Sequence, residues 1–355
     1  MNQNSTQNST GTRPHTLDRR PILVVPYMWI GDFVRCHTVV KVLKARYPGR
    51  PVDVLSTTLC APLADYMPEV RQAVVVDLPR KQLALAQHRA LAERLKREDY
   101  GTALIMPRTW KAALAPYLAG IPERVGWFGE ARVGLVNDLR FGERKLPRMV
   151  DQCAMLALPA GTAQPPQWPL PELKVPAAEI AGWRQHMKLD DRPAVALAPG
   201  AVGPSKRWPA YAYADLARRL TAEGKQVWVL GGPGEKVLAT QIVADAGPLA
   251  RDLTGTDLRG AILGLAATGA AVSNDSGLLH VAAALGTPAV GIFGPTSAWH
   301  WAPLNPISAA LQQTTEKLDC QPCHKPVCRV RHHRCMHNIS ADEVLQATQA
   351  ALASR

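Results

Sequence analysis

Val272-Ser273-Asn274-Asp275-Ser276-Gly277-Leu278-Leu279-His280-Val281-Ala282-Ala283-Ala284-Leu285-Gly286-Thr287-Pro288-Ala289 reads as a buried strand, a polar turn and an apolar helix that opens directly from that turn. A second apolar run, Ala289 to Phe293, follows at once, so the stretch is one strand–helix–strand unit of a parallel sheet. The first amides of a helix have no partner within it, and the macrodipole adds partial positive charge there. Ser276 and Gly277 can therefore offer bare N–H groups to a phosphate, with the small Gly277 allowing close approach. The same Asn-Asp-Ser-Gly chemistry also serves as plain helix capping.

Two further loops of the same kind precede it. Pro199 to Pro209, containing Gly203-Pro204-Ser205-Lys206-Arg207-Trp208, follows the apolar run Ala194 to Ala198, and Leu230 to Glu235 follows Gln226 to Val229. Cations just past the carboxyl end of a strand stand where open α/β sheets bind ligands. None of the three loops has P-loop or G-x-G-x-x-G spacing, so an ATPase or a dehydrogenase is not supported and a nucleotide-diphosphate conjugate fits better. Trp208 reads as a buried anchor of its loop, with Arg207 at the surface.

The first half repeats the pattern. Ile22 to Pro26 reads as a strand, then a loop through Gly31-Asp32, then a helix from Phe33 to Tyr47. Strands are expected at 52–56, 72–77 and 102–106, with a helix over 82–97, and in the second half at 194–198, 226–230, 270–273 and 289–293. The proline-dense stretch 163–176 reads as a linker. The expected fold class is α/β, two doubly wound Rossmann-like domains facing across a cleft, divided into a disordered extension 1–20, domains 21–175 and 176–340, and a terminal helix 341–355.

The length of 355 residues allows two cores, and 47% hydrophobic with 20% charged residues is ordinary for a globular chain. No apolar run approaches the roughly 20 residues that span a bilayer, and the polar start lacks a signal-peptide core, so a cytoplasmic protein is expected. The net charge of +12 favours an anionic partner. Basic residues of the first half lack the interleaved aromatics of a single-strand binding platform, so no nucleic acid is expected.

Several motifs together carry a family resemblance. Pro26-Tyr27-Met28-Trp29-Ile30-Gly31-Asp32, Ala119-Gly120-Ile121-Pro122-Glu123-Arg124-Val125-Gly126-Trp127, Gly134-Leu135-Val136-Asn137-Asp138, the Gly203–Pro209 loop and Ser273 to Ala284 span most of the chain from Ile22 to Pro295. The chain resembles the lipopolysaccharide heptosyltransferases, and is more similar to the second-heptose than to the first-heptose subfamily. That resemblance implies a GT-B type glycosyltransferase with an N-terminal acceptor-binding and a C-terminal ADP-heptose-binding domain. It implies inverting transfer without a metal, from ADP-L-glycero-D-manno-heptose to the first heptose of the inner core. The first-heptose step on Kdo-lipid A is the alternative.

Under that resemblance Asp32 stands as the base that takes the acceptor hydroxyl's proton, and Lys206 as the cation that meets charge growing on the leaving β-phosphate. Gly31, Ser205, Glu235, Asp275, Ser276, Gly277 and His280 are the donor-binding candidates, with Glu235 at the ribose hydroxyls; capping remains the plain reading of Asp32 and Glu235, and a locally bonded core histidine that of His280. Arg108 and Lys111 are candidates for phosphates or carboxylates of a lipid-anchored core acceptor, which implies a peripheral position at the inner face of the cytoplasmic membrane. A monomer is expected.

Of seven cysteines, Cys36, Cys60 and Cys153 read as buried small hydrophobes. Cys320, Cys323, Cys328 and Cys335, interspersed with His324, His332, His333 and His337, have the ligand types of a structural zinc or iron–sulfur site, or are four reduced thiols. No cofactor is expected in catalysis. A non-catalytic nucleotide-sugar-binding protein and a nucleotide-sugar epimerase of the same fold are the rival functions.

Overall fold

The uninterrupted apolar runs Ile22–Val25 and Ala194–Ala198 have no polar face, so each needs helices on both sides of its sheet. The computed structural model, which describes residues 18–79, 82–303, 305–306, 308–313 and 315–354, has that arrangement twice. Strands β1 (Ile22–Val25), β2 (Val52–Ser56), β3 (Val70–Val75), β4 (Thr102–Ile105), β5 (Glu123–Trp127) and β6 (Asp138–Arg140) form one sheet in the order β3-β2-β1-β4-β5-β6. Strands β7 (Ala194–Ala198), β8 (Gln226–Val229), β9 (Ala250–Asp252), β10 (Ala270–Asn274), β11 (Ala289–Phe293) and β12 (Ser308–Gln312) form the other, β9-β8-β7-β10-β11-β12 when read from the matching edge. All ten neighbouring pairs are parallel.

Both sheets therefore share one winding, which reverses between β1 and β4 in the first and between β7 and β10 in the second. Ligands of such sheets bind beyond the carboxyl ends of the strands at the reversal. Asp32 follows β1, Arg108 follows β4, Lys206 follows β7 and Asp275 follows β10, so the winding alone brings these four to the crevice ends.

Strand alternation divides the core. Leu23 and Val25 face a cluster with Leu91, Leu95 and Ile105, whereas Ile22 and Val24 face the opposite side. That opposite side is shared: one continuous cluster runs from Ile22, Val24 and Phe33 of the first domain to Trp228, Ile262, Ala271 and Phe293 of the second. A third cluster, with Val195, Leu197, Leu216 and Val229, takes in Val344 and Ala351 of the terminal helix Ala341–Ala353. Ser340 caps that helix and Glu343 returns the bond.

The linker stretch 163–176 contains neither helix nor strand. The Thr38 hydroxyl donates to the Pro169 carbonyl at 2.9 Å, and the Glu172 N–H donates to His37 Nδ1 at 2.9 Å. Because that backbone group can only donate, His37 carries its proton on Nε2, which donates to the Pro68 carbonyl at 2.7 Å. The Leu173 N–H then reaches the Ala284 carbonyl of the second domain at 2.8 Å.

Two sequence expectations need correction. The helix after β1 spans Ile30–Arg46, three residues earlier than expected, with Trp29 at its N-cap. Strands β5, β6, β9 and β12 went unread; β6 and β9 are three-residue edges without an apolar run, and β12 is a partly exposed edge. The extension 1–20 lies outside the described residues except for 18–20. Among the described residues no helix is long and apolar enough to cross a membrane.

Candidate active site between the domains

The helix Ile30–Arg46 and the helix Gly277–Ala284 meet near their N-termini across the cleft. A Cβ on Gly277 would lie 2.6 Å from Ile30 Cβ, and one on Gly31 would lie 2.8 Å from His280 Cδ2. The space that Gly277 leaves is thus filled by Ile30 of the other domain, and Gly31 makes room for an imidazole. Both glycines serve the contact between domains.

Asp32 sits in the first turn of its helix, where a carboxylate complements the dipole. Among the described residues it makes no capping bond; its carboxylate is ion-paired with Arg35, one turn along. Burial pushes the Asp32 carboxyl above the ordinary aspartate value, opposed first by the Arg35 cation; Asp275 raises it further and Lys206 lowers it. Arg35 also donates to His280 Nε2 at 2.8 Å and to the Trp301 carbonyl at 3.1 Å, with its guanidinium carbon 5.2 Å from the Trp301 ring centroid. Arginine only donates, so Nε2 of His280 is the acceptor and the ring is neutral. Burial, and then Arg35 and Lys206, hold His280 well below its usual value. The Nε2 of His280 is thus committed to Arg35.

On the second domain, Lys206 Nζ lies 2.7 Å from Asp275 Oδ2, which also accepts from the Thr296 hydroxyl at 2.8 Å. Buried Asn274 locks the two loops together. Its amide donates to the Pro199 carbonyl at 2.7 Å, and its oxygen accepts from the Trp208 N–H at 3.0 Å and the Tyr213 hydroxyl at 3.2 Å. Trp208 is buried, and its indole N–H bonds the Ile339 carbonyl at 2.9 Å. Ser276 occupies the N-cap without a side-chain cap bond; its hydroxyl lies 3.0 Å from that of Ser273. No side chain at the N-cap takes up the first amides of the following helix. After β8, Glu235 accepts from the Gly232 N–H at 2.9 Å, and a Cβ on Gly200, after β7, would fall 2.9 Å from its carboxyl carbon.

Ser205 belongs elsewhere. Its buried hydroxyl donates to the Lys325 carbonyl, its N–H to the Pro326 carbonyl at 3.1 Å, and its own carbonyl lies 2.6 Å from His333 Nε2. These bonds fasten the Lys206 loop to the cysteine-rich segment. That segment also holds the loop carrying Thr296, through the Gln321 amide on the Gly294 carbonyl at 2.9 Å and the His324 N–H on the Pro295 carbonyl at 2.8 Å.

The four clustered cysteines are free thiols, and Cys320 Sγ comes within 3.8 Å of His332 Nε2. Burial pushes the Cys335 thiol up to about 11, with Cys323, Cys328 and Cys320 adding to it. Among the described residues no group of three or more His, Cys, Asp or Glu is placed to hold a metal ion. These residues as arranged do not fit a zinc or cluster site, one of the two readings of their spacing.

Beyond Asp32 on the first domain, a groove of about 840 Å³ is lined by Tyr27, Arg108, Phe128, Phe141, Arg144 and Lys145, among others. Arg108 is ion-paired with Glu143 at 2.8 Å and half exposed. Lys111 is not among the residues lining it; its ammonium rests 3.3 Å from the Gln82 carbonyl. Arg35, Asn274, Thr296 and Tyr27 were not singled out in the sequence. Arg35 carried a signal, the i, i+3 spacing from Asp32, whereas Thr296 reaches Asp275 only through tertiary folding.

A base and a cation with a helix N-terminus, on opposed domains, is an arrangement suited to group transfer from a nucleotide conjugate, and comparison with known proteins agrees. Lipopolysaccharide heptosyltransferase 2 of Escherichia coli strain K12 is 36% identical over 93% of this chain and 98% of its own. The Salmonella typhimurium protein of the same name is 38% identical over 78% of this chain and 83% of its own. The solved structure of E. coli ADP-heptose lps heptosyltransferase II superposes with a TM-score of 0.82 at 34% identity, over 94% of this chain and 99% of that one. Residues 88–333 match the model of glycosyltransferase family 9 (heptosyltransferase), and the chain belongs to that family of glycosyltransferases.

Proposed function

We propose that the chain moves heptose from ADP-L-glycero-D-manno-heptose to the first heptose of the lipopolysaccharide inner core, with inversion and without a metal, as a monomer in the cytoplasm at the inner face of the membrane. The observation that carries this reading is the opposition of the Asp32 carboxylate on one domain to the Lys206–Asp275 pair and the uncapped helix start at Ser276 on the other. The acceptor hydroxyl oxygen attacks the anomeric carbon while its proton passes to Asp32. The bond from that carbon to the β-phosphate oxygen breaks, and its electron pair leaves with ADP.

A raised carboxyl value makes Asp32 a stronger base than an exposed aspartate. Charge growing on the phosphate meets Lys206 and the free helix amides, which need no reorganisation as the bond breaks. Glu235 is suited to accept from ribose hydroxyls, and Tyr27 and Arg108 to meet the acceptor.

ADP release from ADP-heptose in the presence of EDTA tests the proposal. Release that depends on an acceptor with a single heptose supports it. Release only with heptose-free Kdo-lipid A moves the reaction to the preceding step. No release with either, or a requirement for added divalent metal, overturns it.

A further inference from the structure

The chain has four phenylalanines. Phe33 and Phe293 are fully buried, whereas Phe128 and Phe141 are 52% and 70% exposed and stack on each other, ring centroids 5.2 Å apart at 22°. The sheet fixes this pair: Trp127 lies opposite Arg140 in the parallel register of β5 and β6, so the next residue on each strand falls side by side. The Phe128 N–H donates to the Arg140 carbonyl at 2.6 Å, and the Arg140 guanidinium is held by the Met155 and Leu158 carbonyls at 3.0 and 2.6 Å. Two aromatic rings are thus held rigidly toward solvent, against the hydrophobic effect. Val133, in the loop joining these strands, is 76% exposed.

Basic groups border the rings. Arg144 and Lys145 follow in the turn Glu143–Lys145, are exposed, line the same groove, and make no ion pair among the described residues. The one acid of that turn, Glu143, is buried and engaged by Arg108. Aromatic side chains beside unpaired cations match a bilayer interface carrying anionic headgroups, where rings enter the acyl boundary and cations stay at the phosphates.

We propose that Phe128, Phe141, Arg144 and Lys145 form the strip by which this protein docks on an anionic lipid bilayer. The inference rests on the reading that the acceptor is lipid-anchored. With the strip on the membrane, the groove leads from the lipid surface through Tyr27 toward Asp32, so an acceptor can reach the base without leaving the bilayer.

Co-sedimentation of the full chain with phosphatidylcholine vesicles, with and without phosphatidylglycerol, tests it at low and high salt. Binding to the phosphatidylglycerol vesicles is expected, and R144Q/K145Q should weaken it by about thirtyfold, from roughly 1 kcal/mol per basic residue and 1.4 kcal/mol per tenfold change. F128A/F141A should remove the part of binding that resists salt. Thermal stabilisation by ADP, whose proposed site is on the other domain, should persist in both variants and shows that they fold. Wild-type-like vesicle binding by both variants overturns the proposal, as does no binding by the wild type. Concentration-dependent dimers abolished by F128A/F141A, without vesicle binding, assign the strip to a second copy and also overturn it. If heptose transfer fails in every assay while vesicle binding still depends on these four residues, the reaction is misread and the docking strip stands.

Discussion

The Asp32 carboxylate is held between opposing influences, burial that favours its protonated form and an arginine that favours the ion. The charged groups acting on it are Arg35 from its own helix and Lys206 and Asp275 from the second domain, while neutral His280 bonds Arg35. Replacing Arg35 with methionine leaves burial unopposed by its nearest cation. The carboxyl value then rises further, and the acid limb of kcat/KM moves to higher pH; Arg35→Lys keeps the charge and should restore part of the shift. An unmoved limb in Arg35→Met would remove Arg35 as the group that positions and ionises the base. Asp32→Asn keeps the shape but cannot take a proton, so kcat should fall by about 10²–10⁴ while ADP still stabilises the protein against heat. Lys206→Met acts on the leaving group as well, and is expected to cost roughly 10²–10³ in kcat; because Lys206 also lowers the Asp32 carboxyl value, the limb should move to higher pH by less than in Arg35→Met.

At the scale of elements, two helix N-termini are pressed together, and the glycines there leave no spare volume. A methyl at Gly277 would overlap both Ile30 Cβ and Cγ2, at 2.6 and 2.7 Å, so Gly277→Ala should destabilise the protein by about 1–3 kcal/mol in denaturant unfolding. Adding Ile30→Gly removes both contacting atoms and should return part of that loss; a double variant no better than the single one would disprove the contact as the cause. The linker is held by a titratable group, His37, which burial lowers from 6.5 to about 4. The unfolded chain therefore takes up a proton as pH falls through 6.5 while the folded chain does not, so stability is full above that value and is lost progressively down to about 4. The full difference is on the order of 3 kcal/mol at about 1.4 kcal/mol per unit. His37→Gln should flatten the fall of melting temperature across that window, where the other histidines lowered by burial, His280 and His88 among them, keep part of the slope. Elements were legible in proportion to their apolar runs. Val52–Ser56, Ala194–Ala198 and Ala289–Phe293 are buried central strands and could be read residue for residue, whereas Asp138–Arg140 and Ala250–Asp252 are three-residue edges that parallel neighbours hold in place.

Over the whole molecule, the crevice was legible because residues at strand ends are fixed by local sequence and brought together by the repeated winding, as Asp32, Lys206 and Asp275 are. What the sequence did not disclose are contacts between residues distant in the chain, which no local pattern encodes: Ile30 in the gap of Gly277 and His280 spent on Arg35 across the cleft, and Ser205 turned onto Lys325 within the second domain. Those contacts bear on how the two domains unfold. Tyr66 of the first domain donates to Glu179 at 2.6 Å and accepts from Arg259 at 2.7 Å, both of the second, and one apolar cluster passes from the first sheet to the second without a polar break. A domain with its own closed core can melt alone, but here melting either one exposes the other's half of the shared cluster to water. Heat unfolding should accordingly be a single transition, with calorimetric and van't Hoff enthalpies in agreement. The separate segments 21–175 and 176–355 should each expose apolar surface and bind a hydrophobic dye. Two resolved transitions, or two segments that fold separately with native stability, would mean that the shared cluster adds nothing to cooperativity and that the domains are joined only by their linker.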